Sequence, residues 1–445
     1  MLLLRNATII NEGTSVKGSV LVKNDRIDTI YTDLVPEEIC NRAEIIEADN
    51  LYLIPGVIDD QVHFREPGLT HKGTIASESR AAIAGGVTSY MEMPNTNPQT
   101  ITIEAWEHKN EYAQGKSYAN YAFYLGATND NLAELKRIDS KHLCGVKVFM
   151  GASTGNMLVD DKKTLEAIFA EVDMLIATHC EKESIIRQNI DKYKKELGED
   201  IPVKYHPLIR SAEACYQSSA EAIELADKYG SRLHVLHLST AQEMTLFDTK
   251  PLSEKKITGE VCVHHLWFTD EDYDRLGTLI KWNPAIKTAK DRNELRQALL
   301  SGKLDVVATD HAPHTQQEKE GGALVAASGG PLVQHSLQMM MQLVSEDVFT
   351  KEQIVEKMCH APAKLFGVKD RGFIREGYFA DLVLVNPNSP YTISSDNILY
   401  KCGWSPLQGE TLSSSIHTTI LNGKVVFHNG EVVRQPMGQM LEFVR

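Results

Sequence analysis

Residues 55–64 read PGVIDDQVHF, an apolar run of strand length with Gln and His near its carboxyl end. Seven runs of the same kind follow, separated by segments of helical periodicity. They are VTSYMEM at 87–93, YAFYLGA at 121–127, CGVKVFM at 144–150, MLIATHC at 174–180, LHVLHLS at 233–239, TGEVCVHH at 258–265 and DVVATDHA at 305–312. The helical segments include residues 104–114, 163–171, 211–229 and 291–300. Eight alternating units favour an α/β fold, a (β/α)8 TIM-like barrel, over an open sheet.

The two ends of the chain follow a different pattern. In the first fifty residues, LLLRNATII, SVLVKN and RIDTIYT alternate apolar and polar positions between turn signals, as exposed strands do. The same pattern returns after Phe366 in ADLVLVNP and TTILNGKVVFHNGEVV. We therefore expect both ends to form one small β-sandwich domain, with residues 1–53 and 367–445 contributing to it and residues 54–366 forming the barrel.

Composition narrows the function classes. The 445 residues include 42% hydrophobic and 24% charged side chains, which is typical of a folded globular protein. The 46 basic and 60 acidic side chains give a net charge of -14, which disfavours nucleic acid and anionic membrane surfaces as partners. Arg5 interrupts the first apolar residues and no run of 18 apolar residues occurs, so we expect a cytoplasmic protein. Seven scattered cysteines without a C-x-x-C pair are expected to be buried, reduced thiols.

Three histidines and one acid lie at the carboxyl ends of four predicted strands. These residues are His63, His179, His237 and Asp310. In a barrel, those strand ends converge on one face, so the four side chains could surround one point. Imidazole nitrogen and carboxylate oxygen suit zinc or a similar divalent ion, which makes water reactive near neutral pH. Each histidine taken alone is better explained as a hydrogen-bonded core residue than as a ligand, but the four residues together favour a metal site.

Lys147 is the one basic residue in the apolar run CGVKVFM. Burying a bare ammonium in a barrel strand is costly unless the group is paired or modified. One alternative is a carbamate formed with carbon dioxide, which could bridge two metal ions. The other is an unmodified lysine whose stem packs in the barrel and whose head pairs with an acid at the barrel mouth.

Long motifs carry a resemblance to the cyclic amidohydrolases and, among them, to the dihydroorotases. The matching segments are PGVIDDQVHFREPGLTHKG, MPNTNP, TGEVCVHHLWFTDED, KWNPAIK and ATDHAPHTQQEK, within a similarity that runs from about residue 53 to 381. The resemblance implies a small-molecule substrate and a reversible cyclisation of N-carbamoyl-L-aspartate to L-dihydroorotate in pyrimidine synthesis. It also implies that metal-bound hydroxide attacks the ring amide.

The resemblance assigns roles to nine positions of this sequence. The implied metal ligands, for one or two zinc ions, are His63, carbamylated Lys147, His179, His237 and Asp310. Asp310 is also the implied catalytic residue that moves a proton between water and the ring nitrogen. The implied substrate-binding residues are Arg65, Asn95 and His314 for the carboxylate and Asn283 for the ring. Arg65 suits that role because its planar fork can bind a carboxylate through two hydrogen bonds.

Gln61 departs from the family pattern, because it stands where the first of two histidines belongs. An amide oxygen is a poorer zinc ligand than imidazole. Three outcomes are open: a single metal held by Lys147, His179 and His237, two metals with one held weakly, or Asp60 or water as the replacement ligand. The missing histidine also leaves open a non-catalytic dihydroorotase-like scaffold. This alternative requires the other ligand positions to have a use besides metal binding.

Two segments resemble other branches of the family. ASGGPLVQHSLQ at 327–338 and KVFMG at 147–151 look like hydantoinases and dihydropyrimidinases, so a hydantoinase, dihydropyrimidinase or allantoinase is the alternative enzyme. A homodimer is expected from the frequency of such assemblies, and association with another pyrimidine-pathway enzyme stays open. His234, three residues before His237, is predicted to point away from the site and pack against helices.

Overall fold

The computed structural model describes residues 1–138, 141–151 and 157–445. In these ranges the strands are β1 Leu2–Asn11, β2 Thr14–Lys23, β3 Arg26–Tyr31, β4 Glu44–Glu47, β5 Tyr52–Pro55, β6 Val57–Val62, β7 Val87–Glu92, β8 Asn120–Phe123, β9 Leu125–Gly126, β10 Val146–Phe149, β11 Ile176–His179, β12 Leu233–Val235, β13 Ile257–Cys262, β14 Val306–Ala308, β15 Leu382–Asn386, β16 Tyr391–Thr392, β17 Thr411–Leu412, β18 Ser415–Leu421, β19 Lys424–His428 and β20 Glu431–Val432. The α-helices in the same ranges are α1 Glu37–Arg42, α2 Ile75–Ala84, α3 Ile103–Ala113, α4 Leu132–Leu135, α5 Lys162–Glu171, α6 Glu183–Leu197, α7 His206–Ile209, α8 Ala212–Tyr229, α9 Val263–Trp267, α10 Tyr273–Leu276, α11 Ala289–Ser301, α12 Ser336–Ser345, α13 Lys351–Val355 and α14 Ala361–Phe366.

Strands β6 to β14 form the predicted parallel barrel. One run of neighbours is β6-β7-β8 and the other is β9-β10-β11-β12-β13-β14, with β8 and β9 as successive halves of the third barrel strand. The ring closes where Val62 bridges His311, and the backbone N–H of His63 donates to the carbonyl of His311 with an N–O distance of 2.7 Å. All eight predicted strands are confirmed. The prediction succeeds because parallel strands covered on both faces consist of continuous apolar runs.

The predicted crossover helices are also confirmed as α3, α5, α8 and α11. Each begins after a side-chain oxygen that accepts a backbone N–H of the first turn, from Thr102, Asp161, Ser211 and Thr288 respectively. Such caps satisfy donors that have no partner inside the helix. Helices α8 and α11 end at glycines in the left-handed conformation, Gly230 and Gly302, which avoid the Cβ clash of that conformation.

Both ends of the chain contribute to the small β-sandwich domain, as predicted. Its largest sheet has the order β20-β19-β18-β15-β5-β1-β2-β3, with β4 paired to β1. Strand β5 runs parallel to β1 and antiparallel to β15, where Leu53 is opposite Leu384. The start of the chain is thereby hydrogen-bonded to a strand that follows the whole barrel.

Apolar side chains close the barrel at the amino ends of its strands. Phe366 of α14 and Phe443 near the carboxyl end pack against the barrel residues Ile58, Tyr124 and Leu236 in one buried cluster. The carboxyl ends of the strands, at the other end, are therefore the face on which a site can open. None of the helices in the described ranges is long and apolar enough to cross a membrane. All seven cysteines are free thiols.

Candidate active site

A cavity of about 660 Å³ opens at the carboxyl ends of the barrel strands. All nine residues singled out from the sequence line it: His63, Arg65, Asn95, Lys147, His179, His237, Asn283, Asp310 and His314. They come from seven different strand ends or the loops that follow them, so the barrel brings together residues that are far apart in sequence. Gln61 lines the same cavity.

Three of these residues have unusual backbone conformations. The φ angles are 73° at Arg65, 39° at His237 and 45° at Asp310, in the left-handed region that residues with a Cβ rarely adopt. His237 and Asp310 each lie two residues beyond the end of their strand, where this conformation reorients the chain at the cavity. Such conformations cost about 1–3 kcal/mol each and occur where the surroundings hold them. At His237, the backbone N–H donates to Oε1 of Glu260 over 2.8 Å.

His63 and Asp310 form the first pair of side chains in the cavity. The N–H at Nδ1 of His63 donates to Oδ1 of Asn95 over 2.7 Å, which leaves Nε2 as the ring acceptor. That Nε2 lies 3.1 Å from Oδ1 of Asp310, and the side-chain amide of Gln61 donates to the same oxygen over 3.2 Å. Burial lowers the pKa of His63, which favours the neutral ring that a metal ligand requires.

His179 and His237 form the second pair, with Nδ1 of His179 and Nε2 of His237 2.9 Å apart. The N–H at Nε2 of His179 donates to Oε2 of Glu181 over 2.9 Å, and Arg210 is paired with the same carboxylate. Burial raises the pKa of Glu181, but the charge of Arg210 and the hydrogen bond from His179 outweigh burial and lower this pKa to about 2. Because Glu181 accepts the proton on Nε2 of His179, Nδ1 of the neutral ring carries a lone pair, and this lone pair faces His237.

Lys147 is buried at the base of the cavity. Within the described ranges, no carboxylate oxygen lies within 4.0 Å of its Nζ, which sits 4.6 Å from the ring centre of Phe149. Burial lowers the pKa of Lys147 to about 8, although the charges of Asp310 and Glu260 oppose the shift. The expected alternative, a lysine paired with an acid at the barrel mouth, is not what the described residues show. A pKa of about 8 leaves a minor fraction of neutral amine at pH 7, and the neutral amine is the form that can react with carbon dioxide.

This donor set fits a divalent cation of the zinc class. Two acceptor atoms, His63 Nε2 and Asp310 Oδ1, face each other at 3.1 Å, and Nδ1 of His237 is buried with no partner among the described residues. Buried acceptors without a donor are costly, and a cation removes that cost. Asp60 does not replace the missing histidine, because its carboxylate lies beside His234 instead of lining the cavity.

One corner of the cavity is cationic. Arg65 is 7% exposed and has no carboxylate within 4.0 Å among the described residues. Its Nη2 lies 3.0 Å from Nε2 of His314, and Nζ of Lys72 lies 3.1 Å from Nδ1 of the same ring. Burial and these two cations strongly lower the pKa of His314. Lys72 is partly neutralised by Glu318, 2.9 Å away, whereas Arg65 has no such neighbour among the described residues.

The two predicted amide residues differ in availability. Oδ1 of Asn283 is buried and has no hydrogen-bond partner among the described residues, so it is free to accept from a ligand. Oδ1 of Asn95 already accepts from His63, so its amide nitrogen is the more available group for a ligand. Asn95 therefore also orients His63, a contact that the sequence did not indicate.

Sequence reasoning missed Glu181 and Lys72. A carboxylate two residues after a candidate metal ligand is the signal for Glu181, and the basic residue after His71 in PGLTHKG is a weaker signal for Lys72. The prediction for His234 was wrong about the face of its strand, although the ring lies outside the cavity and its centre is 5.8 Å from that of Phe366 in helix α14. The His234 side chain is fully buried and hydrogen-bonded to Thr258 of the neighbouring barrel strand, because β12 ends at Val235 and strand alternation does not continue to His237.

Comparison with known proteins identifies the class to which this barrel and cavity belong. The amidohydrolase family model matches residues 52–426, so the chain belongs to the amidohydrolase family. It is 30% identical over 425 residues to a dihydroorotase of Methanosphaera stadtmanae, covering 94% of each chain. It is 29% identical to an allantoinase of Bacillus velezensis, covering 96% of this chain and 94% of that protein. The solved L-hydantoinase from Arthrobacter aurescens superposes with a TM-score of 0.92 at 28% identity, covering 99% of both chains.

These relatives define the general activity. The chain is a hydrolase that acts on cyclic amides, and its substrate is a small molecule. The relatives named dihydroorotase confirm the resemblance found from the sequence motifs.

Proposed function

We propose that this protein is a dihydroorotase, which interconverts N-carbamoyl-L-aspartate and L-dihydroorotate. The observation that carries the proposal is Arg65, a buried guanidinium that lines the cavity and has no carboxylate partner in the part of the chain that the structure describes. A buried charge without a counterion is strongly unfavourable, so the position calls for an anionic ligand. Both substrates of this reaction carry a carboxylate, whereas the hydantoin and dihydropyrimidine rings do not require one.

The ligands of the metal would be His63, His179, His237, Asp310 and carbamylated Lys147. A bound zinc-class ion would polarise the amide carbonyl and lower the pKa of water in the site. The hydrogen bonds from His63 to Asn95 and from His179 to Glu181 present one nitrogen of each ring to the cavity. Gln61 would leave one of two possible ion positions weaker.

The other side chains orient the substrate and move its proton. Arg65 and His314 would bind the carboxylate, and the amide of Asn283 would accept from the ring. Gln61 and His63 contact Oδ1 of Asp310, so Oδ2 is the oxygen left to take a proton from water. Asp310 would then deliver the proton to the departing ring nitrogen, and ring closure would reverse these steps.

A substrate panel tests the proposal. The purified chain is assayed with L-dihydroorotate, N-carbamoyl-L-aspartate, allantoin, hydantoin and dihydrouracil. We expect the highest kcat/KM with the first two compounds. Higher kcat/KM with allantoin would instead favour the allantoinase reading that the Bacillus velezensis relative suggests.

The Arg65→Met variant separates carboxylate binding from the rest of the chemistry. Loss of one partner of a buried charge pair costs about 2–5 kcal/mol, so we expect dihydroorotate turnover to fall at least about 30-fold with unchanged metal content. Arg187→Met, on the exposed surface of α6, is the matched control. Undiminished turnover in Arg65→Met would rule out the proposed carboxylate site.

A further inference from the structure

A second cluster of metal-binding side chains lies in the barrel core beneath the cavity. It consists of Asp60, His234 and Glu260, which we call the core triad. The three side chains are 0% exposed, and one potential ligand atom from each lies within 4.8 Å of the others. None of the three lines the active-site cavity. The core triad is therefore separate from the ligands described above.

The hydrogen bonds of His234 leave Nε2 of its ring as an acceptor that faces the carboxylates of Asp60 and Glu260. The hydroxyl of Thr258 donates to the carbonyl of Leu233 over 3.1 Å, so its oxygen must accept from Nδ1 of His234 at 2.8 Å. The ring proton of neutral His234 is then on Nδ1, and Nε2 carries a lone pair. This Nε2 lies 3.2 Å from Oδ2 of Asp60 and 3.8 Å from Oε2 of Glu260. A ring nitrogen held by a hydrogen bond at its other side is the usual arrangement of a metal-ligating histidine.

The acids of the core triad have no adequate counterion. Within the described ranges, no Lys or Arg nitrogen lies within 4.0 Å of either carboxylate. Oδ1 of Asp60 and Oε2 of Glu260 are both buried, and neither has a hydrogen-bond partner among the residues that the structure describes. Two carboxylates beside one imidazole in a dry core have a large desolvation cost. Burial and the charge of Asp60 accordingly raise the pKa of Glu260 to about 7.

A protonated His234 is the competing explanation. Burial lowers the pKa of His234, but hydrogen bonds to Asp60 and Glu260 raise it overall, to about 9. A single proton on Nε2 can be donated fully to only one acid, and charge-assisted hydrogen bonds of this kind are about 2.7–2.9 Å long. The separations of 3.2 and 3.8 Å are longer. Two ligand atoms that are each about 2.1 Å from a tetrahedral ion lie about 3.4 Å apart. The two separations here fall on either side of that distance.

We propose that the core triad binds a first-row divalent cation of the zinc or manganese class, as a structural site separate from catalysis. The ion would neutralise both carboxylates, and His234, Asp60 and Glu260 would each supply one ligand atom. Glu260 would connect this site to the cavity, because its Oε1 accepts the backbone N–H of His237 over 2.8 Å. A closed position in the core also predicts that this ion exchanges more slowly with chelators than an ion in the cavity.

The test locates metal in the full-length protein expressed with added zinc. Anomalous diffraction at the zinc edge should show a peak about 2.0–2.2 Å from ligand atoms of all three side chains, in addition to density at the cavity. A peak at His179 and His237 with none at the core triad would overturn this inference while leaving the proposed function intact. No peak at either place would overturn both.

Metal stoichiometry provides the second measurement. We expect His234→Gln to contain one ion per chain fewer than the native protein. Tyr124→Phe is the matched control, because it removes a buried hydroxyl that donates to the backbone carbonyl of Asp60 but none of the three ligands. Equal metal content in native protein and folded His234→Gln would overturn the inference. If His234→Gln does not fold, the anomalous map of the native protein decides.

Discussion

The side-chain amide of Gln61 donates to Oδ1 of Asp310 over 3.2 Å, and the same oxygen lies 3.1 Å from Nε2 of His63. Gln61 thus contacts a proposed metal ligand at the place where a second imidazole would be expected to bind the ion itself. The amide orients the carboxylate but contributes only a weak metal ligand. This relationship makes the metal content of the cavity sensitive to one residue.

Gln61→His should therefore increase metal binding. An imidazole beside His63 supplies a stronger ligand than an amide, so we expect about one additional zinc ion per chain after equilibration with zinc and gel filtration. Elemental analysis measures the ratio. Gln61→Asn, which keeps an amide, should not increase it. If the histidine variant binds no more zinc than the native protein, this residue does not limit occupancy of the second position.

Glu181→Gln should weaken metal binding without unfolding the chain. The carboxylate of Glu181 accepts from His179 and is paired with Arg210, so its loss frees the ring that it orients. Replacing such a partner costs about 10–100-fold in metal affinity. Competition with a chromophoric chelator measures the Kd of the most weakly held ion. The control is Glu183→Gln on the first turn of α6, which should leave the Kd unchanged.

Carbamylation of Lys147 should depend on pH. Burial lowers the pKa of this lysine to about 8, and only the neutral amine reacts with carbon dioxide. The neutral fraction therefore increases about tenfold between pH 7 and pH 9, and the initial rate of carbamate formation at equal dissolved carbon dioxide should increase with it. Carbon-13 NMR after addition of labelled carbonate measures this rate. Lys147→Met should lack the signal, and a rate that does not rise with pH would argue against a lysine of this pKa.

Lys109→Met should strongly destabilise the fold. Nζ of Lys109 lies 3.0 Å from Oε2 of Glu92, and both side chains are almost completely buried. Removing one partner of a buried ion pair leaves an unpaired charge and costs about 3–5 kcal/mol of the free energy of unfolding. Urea denaturation measures this loss. The double variant Lys109→Met/Glu92→Gln should recover much of it because it buries no charge.

The same variant should be less destabilised at low pH. Burial raises the pKa of Glu92 even beside Lys109, and removing the lysine raises that pKa further. A carboxyl whose pKa is higher in the folded than in the unfolded chain stabilises the fold at low pH and loses this contribution as the pH rises. The stability deficit of Lys109→Met should therefore be smaller at pH 5 than at pH 8. An equal deficit at both pH values would contradict this assignment of the charge.

The sequence predicts the barrel and the position of its cavity because both depend on periodic features. Buried parallel strands require apolar runs, and their carboxyl ends converge, so His63, His179 and Asp310 could be expected to meet. The pairing of individual atoms depends instead on local backbone geometry. The φ of 39° at His237 is not encoded by a turn residue, and strand alternation therefore gave the wrong face for His234. The contact between Gln61 and Asp310 joins strands at opposite ends of the barrel sequence, so no local pattern reports it.

The pairing of β5 with β15 affects how the chain is made. Strand β1 precedes β5 in the chain, but β15, the partner of the other edge of β5, is synthesised only after the whole barrel. An open strand edge is a template for pairing with other chains. Until β15 has been synthesised, this edge of β5 is a place where incomplete chains could pair with one another.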